Sequence, residues 1–291
     1  MIFLIASVAA STVIFIIFRL FANYNIDNLQ AIIFNYFIAC FSGWMATDAS
    51  VSWQQIPQKS WFYGALFLGI IFITVFNLMA ITTQKNGLSV AAVASKMSLA
   101  IPISAGIFLY NESTECIKIF GILLALVSVY LTSMKQKGTV QINGKNFIYP
   151  LLVFVGSGII DTSLKFIESR YVATDEISIF SASIFGVAAM VGLLILIYRQ
   201  VVGKLHFELK NLIGGVILGI VNYGSIYFLI QALRFEQMDS STTFTVNNVG
   251  ILITSTLAGM LFFKEKLLLK NWIGVILAII SIFLVTIAMG S

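Results

Sequence analysis

The sequence predicts an all-α integral membrane protein of ten transmembrane helices, arranged as two inverted five-helix repeats. Three observations carry this reading. Of 291 residues, 59% are hydrophobic and only 10% are charged, where soluble domains carry about 25% charged residues; mean hydropathy is +0.99. The apolar residues gather into ten runs, each close to the ~20 residues that cross a bilayer as a helix. The second half of the chain also repeats a frame found in the first.

The runs occupy about 2–22, 28–46, 61–84, 88–110, 116–134, 147–167, 177–198, 212–234, 240–263 and 267–289. They are continuous rather than alternating, so they read as helices and not as barrel strands. The first run starts at Ile2 without a basic stretch before it and without a small-residue cleavage site before "NYNIDN", so it is expected to be retained rather than cut off as a signal peptide. Short polar breaks ("NYNIDN", "TQKNG", "YNEST", "RFEQMD", "FKEK") make successive helices antiparallel neighbours. Trp44, Trp53, Trp61 and Trp272 lie near run ends or in a loop, at the depth where aromatic anchors belong. The net charge of +5 is dispersed without a basic cluster, so no nucleic-acid partner is expected. Loops after odd-numbered runs hold eleven lysines and arginines and loops after even-numbered runs five. By the positive-inside rule the odd loops are cytoplasmic and both termini are outside. The two cysteines, Cys40 and Cys116, make neither a metal spacing nor a disulfide framework.

Residues 89–133 shifted by 153 positions fall on 242–286 without a gap, and ten of the 45 pairs are identical. Matching leucines and valines mean little between apolar helices. The frame G-x5-E-x8-G means more: it occurs at Gly106, Glu112 and Gly121, and again at Gly259, Glu265 and Gly274. The repeats then span 1–134 and 147–291, with 135–146 as the linker. An odd number of helices per repeat makes the second copy enter the membrane from the opposite side. That inverted plan belongs to secondary transporters, which bind substrate near the midplane between the copies.

The ten-run plan, the doubled frame and the first runs of the two halves, "STVIFIIFRLF" and "IIDTSLKFIESR", resemble the EamA-type branch of the drug/metabolite transporter superfamily over nearly the whole chain. The resemblance implies a basket of two inverted five-helix bundles around a central cavity, export of small metabolites, and a multi-pass protein of the cell membrane, the bacterial inner membrane. It also implies cytoplasmic termini, opposite to the charge count.

Ionisable groups at membrane depth are functional candidates because placing them there costs at least ~2.5 kcal/mol. Lys96 lies eight residues past Leu88, roughly 12 Å inward at about 1.5 Å per residue. Its small neighbours, including Ala94, Ser95 and Ser98, suit a cavity wall, although a lysine can also snorkel toward the headgroups. The equivalent position in the second half is Val249. Asp161 is the acid well inside a run; with Lys165 at i+4 it forms either a local ion pair or a proton-responsive counter-charge. Asn247 and Asn248 align with Ala94 and Ser95, and Asn77, Asn222 and Tyr227 add polar groups; each reads either as a substrate contact or as helix packing. Pro102 lacks the N–H that would bond the Ser98 carbonyl and is a candidate hinge or a tolerated kink. Glu112 and Glu265 close the fourth and ninth runs, either as gate residues or as exposed carboxylates paired with Lys118, Lys264 and Lys266.

These groups together read as a non-enzymatic secondary transporter of a small polar or amphipathic metabolite. It needs no cofactor, has the lipid bilayer and the substrate as partners, and has protons as a candidate coupling ion. The alternatives are a membrane-embedded enzyme or a receptor. His206 is the one histidine and lies in a loop, which excludes a multi-histidine metal site. Lys96 and Ser98 are two apart, on different helix faces, so they do not form a dyad by themselves.

Overall fold

The structure, a computed structural model, describes residues 2–45, 53–98, 100–101, 116–132, 147–173, 176–203, 207–233 and 240–290. Among the described residues are ten α-helices: α1 (Ile2–Asn23), α2 (Asn28–Met45), α3 (Phe62–Asn86), α4 (Leu88–Met97), α5 (Cys116–Thr132), α6 (Ile148–Tyr171), α7 (Ile177–Val201), α8 (Leu209–Leu233), α9 (Ser240–Phe263) and α10 (Leu269–Gly290), with a 3-10 turn at Trp53–Gln58. Five described segments are long and apolar enough to cross a membrane: Ile2–Asn23, Phe62–Asn86, Ile177–Val201, Leu209–Leu229 and Val246–Phe263. The burial pattern is that of a chain dissolved in lipid. Large apolar side chains such as Ile5, Met190, Leu194 and Leu261 point outward, while Asn35, Thr82, Thr83 and Ser128 are fully buried.

Local sequence sets the helix ends. α1 stops where Asn25 takes a left-handed φ of 51° and Ile26 N–H bonds back to the Phe21 carbonyl at 2.8 Å, a Schellman-type close. Asp27 then caps α2, its Oδ1 accepting the Gln30 N–H at 3.0 Å. Regular helix in α4 ends at Met97 and helical residues follow at Ala100 and Ile101; the rest of the run expected to reach 110 lies outside the described residues. At the break Ile101 N–H donates to the Ser98 carbonyl at 2.9 Å, a tighter i−3 bond. The Ser98 carbonyl, expected to be left open by Pro102, is therefore occupied.

The chain falls into two compact units, one of Met1–Leu20, Leu78–Ile159 and Gly224–Ser291, the other of Phe21–Asn77 and Ile160–Tyr223. Both sequence halves contribute to each unit, and the divisions fall within α1, α3, α6 and α8. The linker at 135–146 lies outside the described residues.

In the Phe21–Asn77/Ile160–Tyr223 unit, α2 packs on α7. Gly43 meets Ala182, Gly186 meets Cys40 and Gly192 meets Ile33, so the two helices run antiparallel. α8 runs parallel to α2: Gly215 touches Ala31 and Phe34, and Gly219 touches Asn35 and Ile38. Amides tie the same pair, with Asn211 Nδ2 donating to Gln30 Oε1 at 3.0 Å and Asn222 Nδ2 to Asn35 Oδ1 at 3.1 Å. Near the other end of α2, Glu176 accepts from Lys59 Nζ and from Trp61 Nε1, the latter at 2.7 Å. Trp61 stands on an apolar cluster with Leu68, Ile179, Phe180 and Ile184.

The hydrogen bonds from Lys59 and Trp61 hold the Glu176 carboxyl below its usual range. A lowered folded-state pKa stabilises the fold above the unfolded value, and this contribution is lost as pH falls through the folded value. Acidification below about pH 4, where an ordinary Glu titrates, is therefore expected to loosen this corner. Thermal melts of wild type and Glu176→Gln in detergent check this: the variant melts lower at neutral pH, and the gap between the two closes in acid.

In the other unit, α5 and α10 run antiparallel. Ser281 Oγ donates to the Gly121 carbonyl at 2.7 Å, and Gly274 lies against the Ser128 carbonyl and Thr132. The repeated pairs Gly121/Gly274 and Ser128/Ser281 thus meet crosswise, each glycine opposite the serine of the other copy. α9 runs parallel to α1, with Gly250 on Val8 and Thr254 Oγ1 2.6 Å from Thr12 Oγ1. α4 packs against α9, α5 and α10.

Polar contacts at helix ends sort by parity within each unit. Arg19 with Thr83 and Gln84, Lys85 with Tyr149, Leu88 with Glu265, and Asn271 with Leu131 and Thr132 all join connections that follow odd-numbered helices. In the unit of α2 and α7, Asp27 with Asn211 and Arg199 does the same, while Lys59 and Ser60 with Glu176 and Tyr171 join connections that follow even-numbered ones. Helices that alternate in direction produce this sorting.

Candidate functional site

The candidate residues divide between the two units. Ser95, Lys96, Tyr227, Asn247, Asn248 and Glu265 belong to the unit of α4 and α9, and Asn77, Asp161 and Asn222 to the unit of α2 and α7. Pro102 and Glu112 lie outside the described residues, as does the side chain of Lys165.

α4 and α9 pack together and carry the densest set. Lys96 is half-buried in the last turn of α4, where a cation is favoured by the partial negative charge of the helix terminus. Just beyond it the helix changes character, with the Ser98 hydroxyl donating to the Ser95 carbonyl at 2.6 Å. On α9, Asn247 is 2% exposed. It is three and seven residues before Gly250 and Thr254, so it continues the stripe that packs on α1. Among the described residues its Oδ1 has no hydrogen-bond partner. Leaving a buried acceptor unpaired costs about 1–3 kcal/mol, which a donor from a bound molecule would recover. Asn248 is half-buried beside it.

The remaining candidates have other surroundings. Asn222 pairs with Asn35, joining α8 to α2, so packing accounts for it. Asn77 turns back on its own helix, Nδ2 donating to the Ile73 carbonyl at 2.8 Å. Tyr227 is exposed, its ring edge-on to Phe228, and Asp161 is exposed on α6. No group of three His, Cys, Asp or Glu side chains among the described residues could hold a metal ion.

Glu265 departs from the reading as an exposed carboxylate paired with neighbouring lysines. Its carboxylate does not rest on Lys264 or Lys266: Oε1 accepts the Leu88 N–H at 2.8 Å and Oε2 faces Ser89 Oγ at 3.4 Å. The physical reason is the start of α4, where Gly87 at the N-cap offers no side-chain acceptor and the first amides need one. Sequence reasoning also missed Arg19, whose guanidinium donates to the Thr83 and Gln84 carbonyls at the end of α3. Its position at the end of the first run, paired with a helix end that leads into glycine, was the available signal.

No family model matches the chain. An "Uncharacterized protein" of Haemophilus influenzae is 28% identical over 291 residues, covering 96% of each chain. A protein of Lactobacillus johnsonii named "Putative sugar uptake protein" is 28% identical over 193 residues, 63% of each chain. Together with the five long apolar helices, the second likeness suggests a multi-pass membrane transporter.

Proposed function

We propose that the protein is a secondary transporter of the cell membrane that moves a small hydroxyl-bearing solute, a sugar or a sugar-like metabolite, by alternating access of two inverted five-helix repeats. The observation that carries the reading is the end of α4: an ammonium and two serines where a helix in an apolar chain is broken after Met97. Transporters use interrupted helices of this kind to offer polar groups to a substrate. Lys96 and Ser95 bind the solute as donors, and Asn247 and Asn248 accept from its hydroxyls. Asp161 and Lys165 respond to protons.

The antiparallel course of α2 against α7 and of α5 against α10 supports the inverted repeat, because each of these pairs joins helices five apart in order. The sorting of helix-end contacts supports ten spans. Membership of the EamA-type branch is part of the same proposal. Its implied export and the uptake named for the Lactobacillus protein are compatible, since the gradients set the direction of a secondary transporter.

The test is counterflow in proteoliposomes, with radiolabelled D-glucose, D-ribose and L-glutamate as probes, with and without a pH gradient. Saturable counterflow of a sugar, with glutamate excluded, is the expected result. Folded, reconstituted protein that exchanges none of the three would end the sugar assignment.

A further inference from the structure

The turn between α3 and α4 has a charge on each side. Arg19 satisfies carbonyls at the end of α3, and Glu265 satisfies the Leu88 amide and faces the Ser89 hydroxyl at the start of α4. Each charge has the sign favoured by the helix end it meets. The carboxylate is tightly enclosed. A Cβ on Gly87, whose φ is 111°, would stand 2.9 Å from Oε1, and a Cβ on Gly259 would stand 2.5 Å from Oε2. Glu265 N–H is itself bonded to the Gly259 carbonyl at 3.0 Å. The connection after α9 thus folds back through a residue with left-handed φ, Lys264 at 52°, and plugs into α4. In the second copy this accounts for the G-x5-E part of the frame: Gly259 makes the space that Glu265 fills.

α4 has ten residues, and helices shorter than about 12–15 residues are marginal on their own. Its continuity depends on what holds its ends. Lys96 is at the end opposite the cap, in a rod that packs on α9, the same helix whose terminus leads to Glu265. We infer that Glu265 is a positioning residue: by capping α4 from the end of α9 it fixes the placement of Lys96, and it links movement of α9 to movement of the ammonium. The inference rests on the transporter reading for its purpose, but not for its test.

The test is amide hydrogen exchange of the full-length protein in detergent, followed by mass spectrometry, for wild type, Glu265→Gln and Glu265→Ala. Exchange is expected to quicken at least tenfold in Glu265→Ala along the whole of residues 88–97, through Lys96, and less in Glu265→Gln, whose side-chain carbonyl can still accept the Leu88 N–H. Faster exchange confined to 88–91, or none in either variant, would overturn the inference by making the cap local. The glutamine variant keeps the test decisive if the alanine variant fails to fold. If wild type exchanges D-glucose in liposomes, Glu265→Gln is expected to raise its KM severalfold with little change in maximal rate; an unchanged KM speaks against positioning. If wild type moves none of the sugars, the sugar reading fails, and the hydrogen-exchange result still decides the role of Glu265.

Discussion

Lys96→Met is expected to cut solute exchange sharply while the protein still inserts and folds. Methionine retains an unbranched apolar stem, so the packing of α4 survives, and only the charged donor is lost. A hydrogen bond to a charged group contributes about 1.5–3 kcal/mol, which corresponds to a fall of roughly ten- to a hundredfold in transport efficiency, since every ~1.4 kcal/mol is a factor of ten. Lys96→Arg keeps the charge with a different reach and is expected to fall between the two. Initial rates in proteoliposomes, normalised to protein eluting as a single species, measure both variants. Wild-type rates in Lys96→Met would remove the ammonium from the mechanism and with it the reason for assigning the site to the end of α4.

The largest loss of stability is expected from Gly215→Leu. A Cβ at that position would lie 2.5 Å from the Ala31 carbonyl and 2.5 Å from Phe34 Cβ, so the backbones of α8 and α2 must separate. Overpacking of this kind costs about 1–3 kcal/mol. Separation also lengthens the neighbouring amide bonds from Asn211 and Asn222 to α2. Gly224→Ala is the control, because a Cβ there would meet only Phe228 Cε2 at 3.7 Å. Thermal unfolding in detergent should show a drop of several degrees for the first variant and almost none for the second. Equal melting temperatures would mean that α8 does not need this close approach.

The helices were legible because apolar run length and polar breaks are local properties of the chain. α1 could be bounded from "NYNIDN" alone, since Asn25 and Asp27 make a helix stop and a helix start by themselves. The repeat could be found from Gly259 and Glu265, but not what it is for. A glutamate beside two lysines looks like a surface ion pair, and its real partners, Leu88 and Ser89, are more than 170 positions away. Asn222 and Asn247 illustrate the same limit from the other direction. Both are amides in apolar runs, and nothing near either one says that the first meets Asn35 while the oxygen of the second stays unpaired among the described residues. The break after Met97 could not be read because apolar composition runs straight through it, whereas helix geometry depends on which N–H can reach which carbonyl.

The closure of Glu265 onto Gly259 has a practical consequence for anyone who modifies this chain. Surface loops of membrane proteins usually accept epitope tags, fluorescent reporters or stray insertions. The stretch from 259 to 265 is mostly the last turn of α9 rather than a loop, and a single extra amino acid within it is expected to swing the acid away from its seat. Deletions there would do the same, and the spacing of six is as much a requirement as the two residues it separates.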